Sequence, residues 1–245
     1  MKILVTGGAG FIGTNVCLEA VKRGHEVVAF DNFVRPRTEE NIPILKKAGV
    51  TIVRGDVRNF VDFAKLPWVP KGIVHLAGQC GIPYAQTSPR YDFEVNVLGT
   101  LNVLEYSRLN GKPPVAFASS NKAYTNITNL ARMEKTATRL RWKEPYMIGL
   151  SEKGINEEMP IDAFGKFARS LYGTSKVAGD LYCQEYYQAF GVPTVVNRMS
   201  CIYGLYQKGV EEQAWVSWFI NQIVRGDGKI NIFGTGKQVR DMLFA

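Results

Sequence analysis

A tyrosine and a lysine stand four residues apart in a segment with helical spacing, Tyr172 and Lys176. That spacing puts both side chains on one face of a helix. A phenol with a pKa near ~10 is a weak base at neutral pH. A neighbouring ammonium, together with the positive ring of a bound hydride acceptor, favours the phenolate and lowers that pKa. The pair can then accept a proton from an alcohol while hydride leaves the same carbon. Because the same spacing occurs on ordinary amphipathic helices, the interpretation needs support from other residues.

A pair of serines supplies a hydroxyl group for the same chemistry. Ser119 and Ser120 end an apolar run, Val115–Ala118, that has the character of a buried strand. Ligands of open parallel sheets bind outside the carboxyl ends of the strands. A serine at that position can hydrogen-bond the oxygen that reacts.

A glycine-rich turn provides the second part of the predicted site. The first strand leads into TGGAGFIG at Thr6–Gly13, where Gly8, Gly10 and Gly13 have the dinucleotide-binding spacing, and Gly7, Gly10 and Gly13 a wider one. Such glycines permit a tight turn, close approach of backbone N–H groups to a pyrophosphate and close packing of helix on strand. The positive N-terminus of the following helix faces the phosphates. The position after the first strand favours a dinucleotide site over an ordinary turn.

Acidic residues after the next two strands bear on which dinucleotide is bound. Asp31 lies 18 residues after Gly13. Its carboxylate can accept hydrogen bonds from the adenosine ribose and repel a 2′-phosphate, which favours NAD over NADP. Arg35 and Arg37 follow closely and could bind a phosphate, so the preference is open. Asp56 follows the third strand, where it can accept from the adenine amino group.

The elements that must position these residues alternate between two patterns. Short apolar, β-branched runs suit strands buried on both faces of a parallel sheet; they are Lys2–Val5, Glu26–Phe30, Val50–Val53, Gly72–Leu76, Val115–Ala118 and Thr194–Asn197. Helical spacing occupies 11–23, 91–109 and 171–190. This alternation predicts an α/β fold with a Rossmann-like doubly wound parallel sheet and right-handed crossovers.

Two regions interrupt the alternation. Residues 125–170 form a long polar insert, and long loops in compact domains are usually functional or disordered. After Gly204 we predict a helix that carries Trp215 and Trp218, and a strand at 230–233. The chain reaches Ala245 where a further element begins. We therefore expect a nucleotide-binding domain over 1–198 and a small, incomplete substrate lobe over 199–245.

Composition narrows the class of protein. The 245 residues include 30 Lys and Arg against 22 Asp and Glu, a net charge of +8, and 46% hydrophobic residues, as in globular domains. No apolar run approaches the ~20 residues that span a bilayer, so no membrane partner is expected. The basic charge favours a phosphorylated small molecule, and the lack of a run of five or six basic residues argues against nucleic acid.

The cysteines indicate compartment rather than chemistry. Cys17, Cys80, Cys183 and Cys201 are far apart and show no C-x-x-C spacing, which argues against a metal site or a redox pair. We expect Cys17 and Cys183 in the core. The first residues lack the pattern of a signal peptide, so a reducing cytoplasm is the expected location.

Taken together, the motifs resemble those of the extended short-chain dehydrogenase/reductases that act on nucleotide sugars. The resemblance covers nearly the whole chain and rests on TGGAGFIG, Asp31, Gly55–Arg58, His75–Gln79, Asn96, Ser119–Ser120 and the pair Tyr172 and Lys176. It implies NAD that stays bound through the cycle, a nucleotide-diphosphate sugar as substrate and a homodimer. It also implies that Tyr172 is the acid/base, Lys176 its activator and Ser120 the hydroxyl partner.

The resemblance carries a wider set of contacts onto this sequence. The implied NAD contacts are Gly7, Gly10, Phe11, Ile12, Gly13, Asp31, Asn32, Asp56, Val57, Leu76, Ala77, Gln79, Asn96, Tyr172 and Lys176. The implied substrate contacts are Ser120, Asn121, Arg198 and Arg240, the last holding the diphosphate. A guanidinium fork suits phosphate oxygens.

Within the family, several segments resemble the enzymes that epimerise C2 of a CDP-linked sugar; they are Ser119–Tyr124, the insert before Tyr172, Gln213–Phe219 and Gly236–Asp241. One departure is Ser120, where those enzymes carry threonine. Asn121 and Lys122 replace the Asp-Glu pair of the 4,6-dehydratases, which disfavours dehydration. UDP-hexose 4-epimerase, decarboxylase and dehydratase activities on the same scaffold, and a non-catalytic NAD-binding fragment, remain alternatives.

Three further features have competing interpretations. Trp215 and Trp218 lie three residues apart, and core packing is favoured over stacking on a base or sugar. His75 lies inside a predicted strand and is interpreted as a packed core histidine. The basic stretch Arg132–Lys143 is either a lid over an anionic substrate or a solvated helix face.

Overall fold

The fold is known from a computed structural model, which describes residues 1–162, 169–210, 213–225, 229–232 and 234–245, apart from the side chain of residue 129. The predicted insert falls partly outside these residues, at 163–168, as do positions 226–228 and 233. The described residues form twelve strands: Lys2–Thr6 (β1), Glu26–Asp31 (β2), Thr51–Arg54 (β3), Gly72–His75 (β4), Val115–Ser120 (β5), Met133–Lys135 (β6), Leu140–Trp142 (β7), Leu150–Ser151 (β8), Gly154–Ile155 (β9), Thr194–Met199 (β10), Cys201–Tyr203 (β11) and Met242–Phe244 (β12).

Helices connect most of these strands. The α-helices of the described residues are Phe11–Lys22 (α1), Ile42–Lys47 (α2), Ile82–Thr87 (α3), Pro89–Phe93 (α4), Gly99–Leu109 (α5), Leu171–Phe190 (α6) and Trp215–Arg225 (α7). A π-helical turn at Glu94–Leu98 joins α4 to α5, so the predicted helix over 91–109 is one continuous run. None of the helices among the described residues is long and apolar enough to cross a membrane.

The central sheet has six parallel strands in the order β10-β5-β4-β1-β2-β3. All six predicted strands are in it, and the predicted doubly wound α/β fold is confirmed. The strand order reverses between β1 and β4, where ligands of such sheets bind. The runs form strands because successive residues such as Leu4 and Val5 are buried on opposite faces of the sheet.

One hydrophobic layer lies on each face of the sheet. Phe30, Phe117 and Tyr186 belong to the first layer, and Val5 and Leu45 to the second. Cys183 lies in the first and Cys17 in the second, each fully buried, which confirms both as core residues.

His75 is a core residue as well, at 1% exposure. Its Nδ1 lies 2.7 Å from the Thr6 hydroxyl and its Nε2 lies 3.0 Å from the Thr100 hydroxyl. Because Thr100 donates to the Asn96 carbonyl, Nε2 must donate to Thr100 and Nδ1 must accept from Thr6. Burial lowers the pKa of His75 to about 3, so the ring is neutral at physiological pH.

The insert differs from the prediction. Arg132–Lys143 contains the antiparallel hairpin β6–β7, so the solvated helix face is wrong. The Thr136 N–H donates to the Arg139 carbonyl at 2.9 Å, and its hydroxyl accepts from the Arg139 N–H at 3.1 Å. These bonds close a turn that a helix would not allow. The hairpin contacts the C-terminal segment, since the Leu140 N–H donates to the Lys237 carbonyl.

The C-terminal segment also differs in part. The predicted helix is present as α7, but residues 230–232 form no strand, and residue 233 lies outside the described residues. The last strand is β12, which pairs in parallel with β11. Trp215 on α7 is 42% exposed, so its assignment to the core is wrong.

The glycine turn yields a stability prediction. A Cβ at Gly13 would overlap the Gly7 carbonyl oxygen and lie 2.7 Å from the Gly8 Cα, whereas a Cβ at Gly10 would lie 3.2 Å from that oxygen. Backbone atoms cannot yield as a side chain can. We expect Gly13→Ala to lower the free energy of unfolding by about 1–3 kcal/mol, as overpacking does, and Gly10→Ala to lower it less.

Urea denaturation of the two variants and the wild type measures the difference. Equal unfolding free energies for the two variants would show that the turn can widen at Gly13.

Candidate active site

A cleft of about 710 Å³ contains both parts of the predicted site. The glycine turn lines it together with Tyr172 and Lys176 of α6. Of the predicted contacts, these line the cleft: Gly7, Gly10, Phe11, Ile12, Gly13, Asp31, Asn32, Asp56, Val57, Leu76, Ala77, Gln79, Ser120, Asn121, Tyr172 and Lys176. The volume is in the range of small-molecule and cofactor sites.

The turn between β1 and α1 leaves a cradle that only glycine allows. Gly7 has a φ of +67°, and a Cβ there would lie 2.7 Å from the Ala77 nitrogen on the loop after β4. The Asn41 side chain donates to the Ala9 carbonyl at 2.8 Å and holds the turn from the α2 side. A backbone so close to the cleft, at a helix N-terminus, fits a pyrophosphate.

Asp31 fixes the edge of that cradle. Its Oδ2 accepts from the Ala9 N–H at 3.0 Å and its Oδ1 from the Phe33 N–H at 2.8 Å. Burial raises the pKa of Asp31, and these N–H groups oppose the rise. The carboxylate therefore lies beside the glycine turn, and its contact with a ribose stays a prediction.

Asp56 has partners of its own at the same end. Its Oδ2 accepts from Asn32 Nδ2 at 2.9 Å and from Arg58 Nη2 at 2.7 Å. Burial alone would raise the pKa of Asp56, but these hydrogen bonds hold it below its usual value. The carboxylate orders Asn32 and Arg58, and its contact with adenine stays a prediction.

At the other end, Tyr172 and Lys176 are both withdrawn from water, at 9% and 5% exposure. The helix that carries them begins at Ser170, whose hydroxyl accepts from the Gly173 N–H at 3.0 Å. The Lys176 Nζ lies 4.5 Å from the centre of the Phe117 ring on β5, which makes a cation–π contact.

Burial dominates the acid–base properties of the pair. It raises the pKa of Tyr172 to about 12, while the Ser120 hydroxyl acts in the opposite direction. It lowers the pKa of Lys176 to about 8. In the protein alone the pKa of Tyr172 is therefore raised, because desolvation penalises the phenolate more than its neighbours stabilise it. The predicted lowering, which also counts the positive ring of a bound hydride acceptor, stays a prediction.

Asn96 lies behind the cleft rather than in its lining and is 1% exposed. Its Oδ1 accepts from the Gln79 N–H, and its Nδ2 donates to the Gln79 carbonyl, both at 3.0 Å. The same Nδ2 lies 3.0 Å from Ser175 Oγ. Asn96 therefore positions the loop after β4 against α6.

The two predicted substrate arginines are not brought to the cleft. Arg198 Nε donates to Asp180 Oδ2 at 2.8 Å, and its guanidinium stacks on Tyr124. That hydrogen bond raises the pKa of Arg198. Arg240 is exposed and its Nη1 donates to the Val239 carbonyl. Neither side chain is among those that line the cleft.

Several contacts at the cleft were not predicted from the sequence, although Arg35, Gln213 and Trp215 were singled out there for other reasons. Arg35 Nη2 donates to Gln213 Oε1, and Gln213 Nε2 donates to the Cys80 carbonyl, both at 2.7 Å. Lys208 pairs with Glu40 at 2.6 Å. These contacts join the C-terminal segment to the nucleotide end, but their residues lie far apart in sequence and carry no motif. Trp215 also lines the cleft.

Comparison with known proteins agrees with this geometry. Residues 3–245 match the family described as "NAD dependent epimerase/dehydratase family". CDP-paratose 2-epimerase of Salmonella typhi is 37% identical, over 100% of this chain and 71% of that protein. A putative UDP-glucose 4-epimerase of Methanocaldococcus jannaschii is 28% identical, over 99% of this chain and 69% of its own length.

Solved structures show the same fold. UDP-glucose 4-epimerase of Thermus thermophilus in complex with NAD superposes with a TM-score of 0.74 at 28% identity, and Pal of Bacillus thuringiensis with a TM-score of 0.76 at 31% identity. In each case 100% of this chain and 70% of the other is covered. The glycine cradle and Asp31 fit NAD, and with a family match over 3–245 the chain belongs to the NAD dependent epimerase/dehydratase family.

Proposed function

We propose that the protein is an NAD-dependent nucleotide-sugar epimerase, which inverts a sugar carbon by transient oxidation to a ketone and return of hydride. The observation that carries this proposal is the single cleft shared by Ser120, Tyr172, Lys176 and the glycine turn. An alcohol in that cleft meets an acid–base group and a dinucleotide site at once. The likeness to curated epimerases supports the same conclusion.

The chain's own groups handle one proton. Tyr172 takes it from the sugar hydroxyl as the ketone forms and returns it when the carbon is reduced from the opposite face. The Ser120 hydroxyl lies at the end of β5 and can hold the reacting oxygen. NAD, when bound, supplies the hydride acceptor and a positively charged ring.

Burial of Tyr172 and Lys176 disfavours proton abstraction while the cleft holds no cofactor. With the pKa of Tyr172 at about 12, the phenol is neutral at pH 7, and with that of Lys176 at about 8 the ammonium is only weakly favoured. Additional positive charge in the cleft lowers the pKa of the phenol. Proton abstraction therefore depends on a loaded cleft.

For the substrate, we propose a CDP-linked sugar that reacts at C2, by likeness to CDP-paratose 2-epimerase. The exposed ring of Trp215 in the cleft suits stacking on a base or sugar. Ser120 and Asn121 are the substrate contacts that line the cleft. The assignment of Arg240 to the diphosphate stays a prediction, and Arg198 is better explained as the partner of Asp180.

Domain roles and assembly belong to the same proposal. Residues 1–198 would bind NAD and 199–245 would form part of the substrate lobe. Exposed apolar side chains on α6, among them Leu181 and Tyr182, suit pairing of two chains. A cytoplasmic location follows from the nucleotide-sugar substrate and stays a prediction.

A UDP-hexose 4-epimerase is the second candidate, supported by the 28% identical relative. Dehydration is less well supported, because Asn121 and Lys122 cannot act as a carboxylic acid and carboxylate pair. Incubation with CDP-, UDP- and dTDP-linked sugars, followed by product analysis, separates these activities.

Replacement of the acid–base group tests the mechanism. We expect Tyr172→Phe to reduce turnover at least about 100-fold, because no other group takes the proton, while NAD binding persists. Tyr187→Phe is the matched control, since Tyr187 is 55% exposed on the same helix. Turnover is measured on the sugar that the wild type converts. A wild-type rate in Tyr172→Phe would remove the phenol from the mechanism.

The nucleotide preference gives a separate prediction. Asp31→Asn removes the charge that repels a 2′-phosphate but keeps the size of the side chain. We expect the preference for NAD over NADP to fall by about tenfold or more, measured as the ratio of Kd values by calorimetry. Glu39→Gln, which removes an exposed carboxylate nearby, serves as control. An unchanged ratio would mean that Asp31 serves the turn alone.

A further inference from the structure

We propose that Asp180 is a positioning residue for the reaction. Through its ion pair with Arg198, it fixes Tyr172 on α6 relative to Ser120 at the end of β5. The inference deepens the proposed function and rests on it for the roles of Tyr172 and Ser120. Asp180 follows Tyr172 by eight residues, so it lies about two turns along the same helix. Because Asp180 is not among the residues that line the cleft, it acts through other side chains.

The side chain of Asp180 is fully buried, and its partners come from α6 and from two strands. Arg198 Nε on β10 donates to Asp180 Oδ2 at 2.8 Å, and Arg198 Nη2 donates to Oδ1 at 3.4 Å. The Ser119 hydroxyl on β5 donates to Oδ2 at 3.4 Å, and Gln184 Nε2 on α6 donates to Oδ1 at 2.8 Å. One carboxylate therefore joins α6 to two neighbouring strands of the central sheet.

Arg198 extends this connection past Ser120. It lies opposite Ser119 in the ladder between β10 and β5. Its guanidinium lies 5.3 Å from the centre of the Tyr124 ring, and its Nη1 donates to the Tyr124 hydroxyl at 3.4 Å. The carboxylate of Asp180 thus holds Ser119, and the guanidinium of Arg198 holds Tyr124. Ser120, which lines the cleft, lies between these two points.

The face of α6 that meets this segment carries glycines at its closest contacts. A Cβ at Gly179 would lie 2.8 Å from the Phe117 Cζ, and a Cβ at Gly173 would overlap the Lys122 carbonyl oxygen. Glycines let the helix approach closely, but they have no side chain that could interdigitate with the strand. A guanidinium and a carboxylate meet as planar forks, so their pairing has a defined geometry. The ion pair therefore supplies the register that the glycines do not.

Stability alone is a poor explanation for this ion pair. Desolvation of two charges offsets much of their attraction, and replacing a buried ion pair by apolar side chains of similar volume is often neutral or stabilising. Loss of one partner differs, because the other charge stays buried without compensation. The informative variant therefore replaces both residues, Asp180→Leu together with Arg198→Met.

The position of Tyr172 can be measured in this paired variant without substrate. In crystal structures of the paired variant and the wild type, we expect the distance between Tyr172 Oη and Ser120 Oγ to differ by about 1 Å, a displacement that can slow a reaction about 100-fold. An unchanged distance overturns the proposal. Because the measurement needs no turnover, a changed distance in a protein that converts no sugar would count against the proposed function alone.

Kinetics on a sugar that the wild type converts give the second readout. We expect the paired variant to lose roughly 10- to 100-fold in kcat, because its reacting groups are misplaced. The Kd of NAD should change by less than about twofold, since the glycine turn is untouched. The free energy of unfolding should not fall, because no charge is left unpaired. A wild-type kcat, with or without a loss of stability, would overturn the proposal.

A second ion pair that contacts α6 provides the matched control. On α5, Arg108 Nη2 lies 2.8 Å from Glu105 Oε2, and Glu105 Oε1 accepts from the Tyr186 hydroxyl of α6 at 2.6 Å. Glu105→Leu together with Arg108→Met removes this pair by the same replacements, at residues that do not line the cleft. We expect kcat and the distance between Tyr172 and Ser120 to stay unchanged. An equal effect in this control would be nonspecific and would overturn the proposal.

Arg198→Lys covers the case in which the paired variant does not fold. Lysine keeps a positive charge opposite Asp180, but it has no planar fork that could hold the carboxylate and stack on Tyr124. We expect a smaller loss of kcat in the same direction, with NAD binding retained. A wild-type kcat in Arg198→Lys would contradict the positioning role.

Discussion

Tyr172 and Lys176 are both shielded from water on one wall of the cleft. The free-energy cost of desolvating their charged forms is the constraint that the rest of the site must meet. Burial disfavours the phenolate and the ammonium alike, so each needs compensation from the protein. For Lys176 the compensation includes the cation–π contact with the Phe117 ring. For Tyr172 it is the Ser120 hydroxyl, which is too little by itself. The phenol of Tyr172 is therefore neutral at pH 7 in the protein alone, and in the proposed mechanism a loaded cleft changes this.

The parallel sheet is what brings the two parts of the site together. Gly7 and Tyr172 are far apart in sequence, but β1 and β5 both end at the same edge, with β4 between them. Crossovers leave this edge in opposite directions on either side of the reversal between β1 and β4, and so open a cleft there. The glycines let the backbone approach that cleft, while Asn96 holds the loop after β4 against α6 from behind. The catalytic geometry thus follows from strand order and from a few buried polar side chains.

The sequence allowed prediction of the features that depend on local pattern. Buried strands such as β1 and β2 are recognised in the sequence as apolar runs, and α6 is recognised by helical spacing around Tyr172. Both are recognisable because apolar residues recur with the period of the secondary structure that buries them. Side-chain contacts between residues that are distant in the sequence could not be predicted. Arg198, for example, is occupied by Asp180, a pairing that no pattern in the sequence indicates. The raised pKa of Tyr172 in the protein alone could not be predicted either, since spacing reveals a neighbouring charge but not the depth of burial.

The same cleft also limits which reactions this family member can perform. Water elimination needs a second acid and a base beside the sugar, but the positions after Ser120 hold an amide and an amine, Asn121 and Lys122. Epimerisation needs a single proton acceptor that gives the proton back, together with a dinucleotide that gives the hydride back. A single buried phenol meets the first requirement. Because Tyr172 is shielded from water, a proton that it accepts in the proposed mechanism would stay beside the ketone rather than pass to solvent. That retention favours return of the proton to the same oxygen over release of an oxidised sugar.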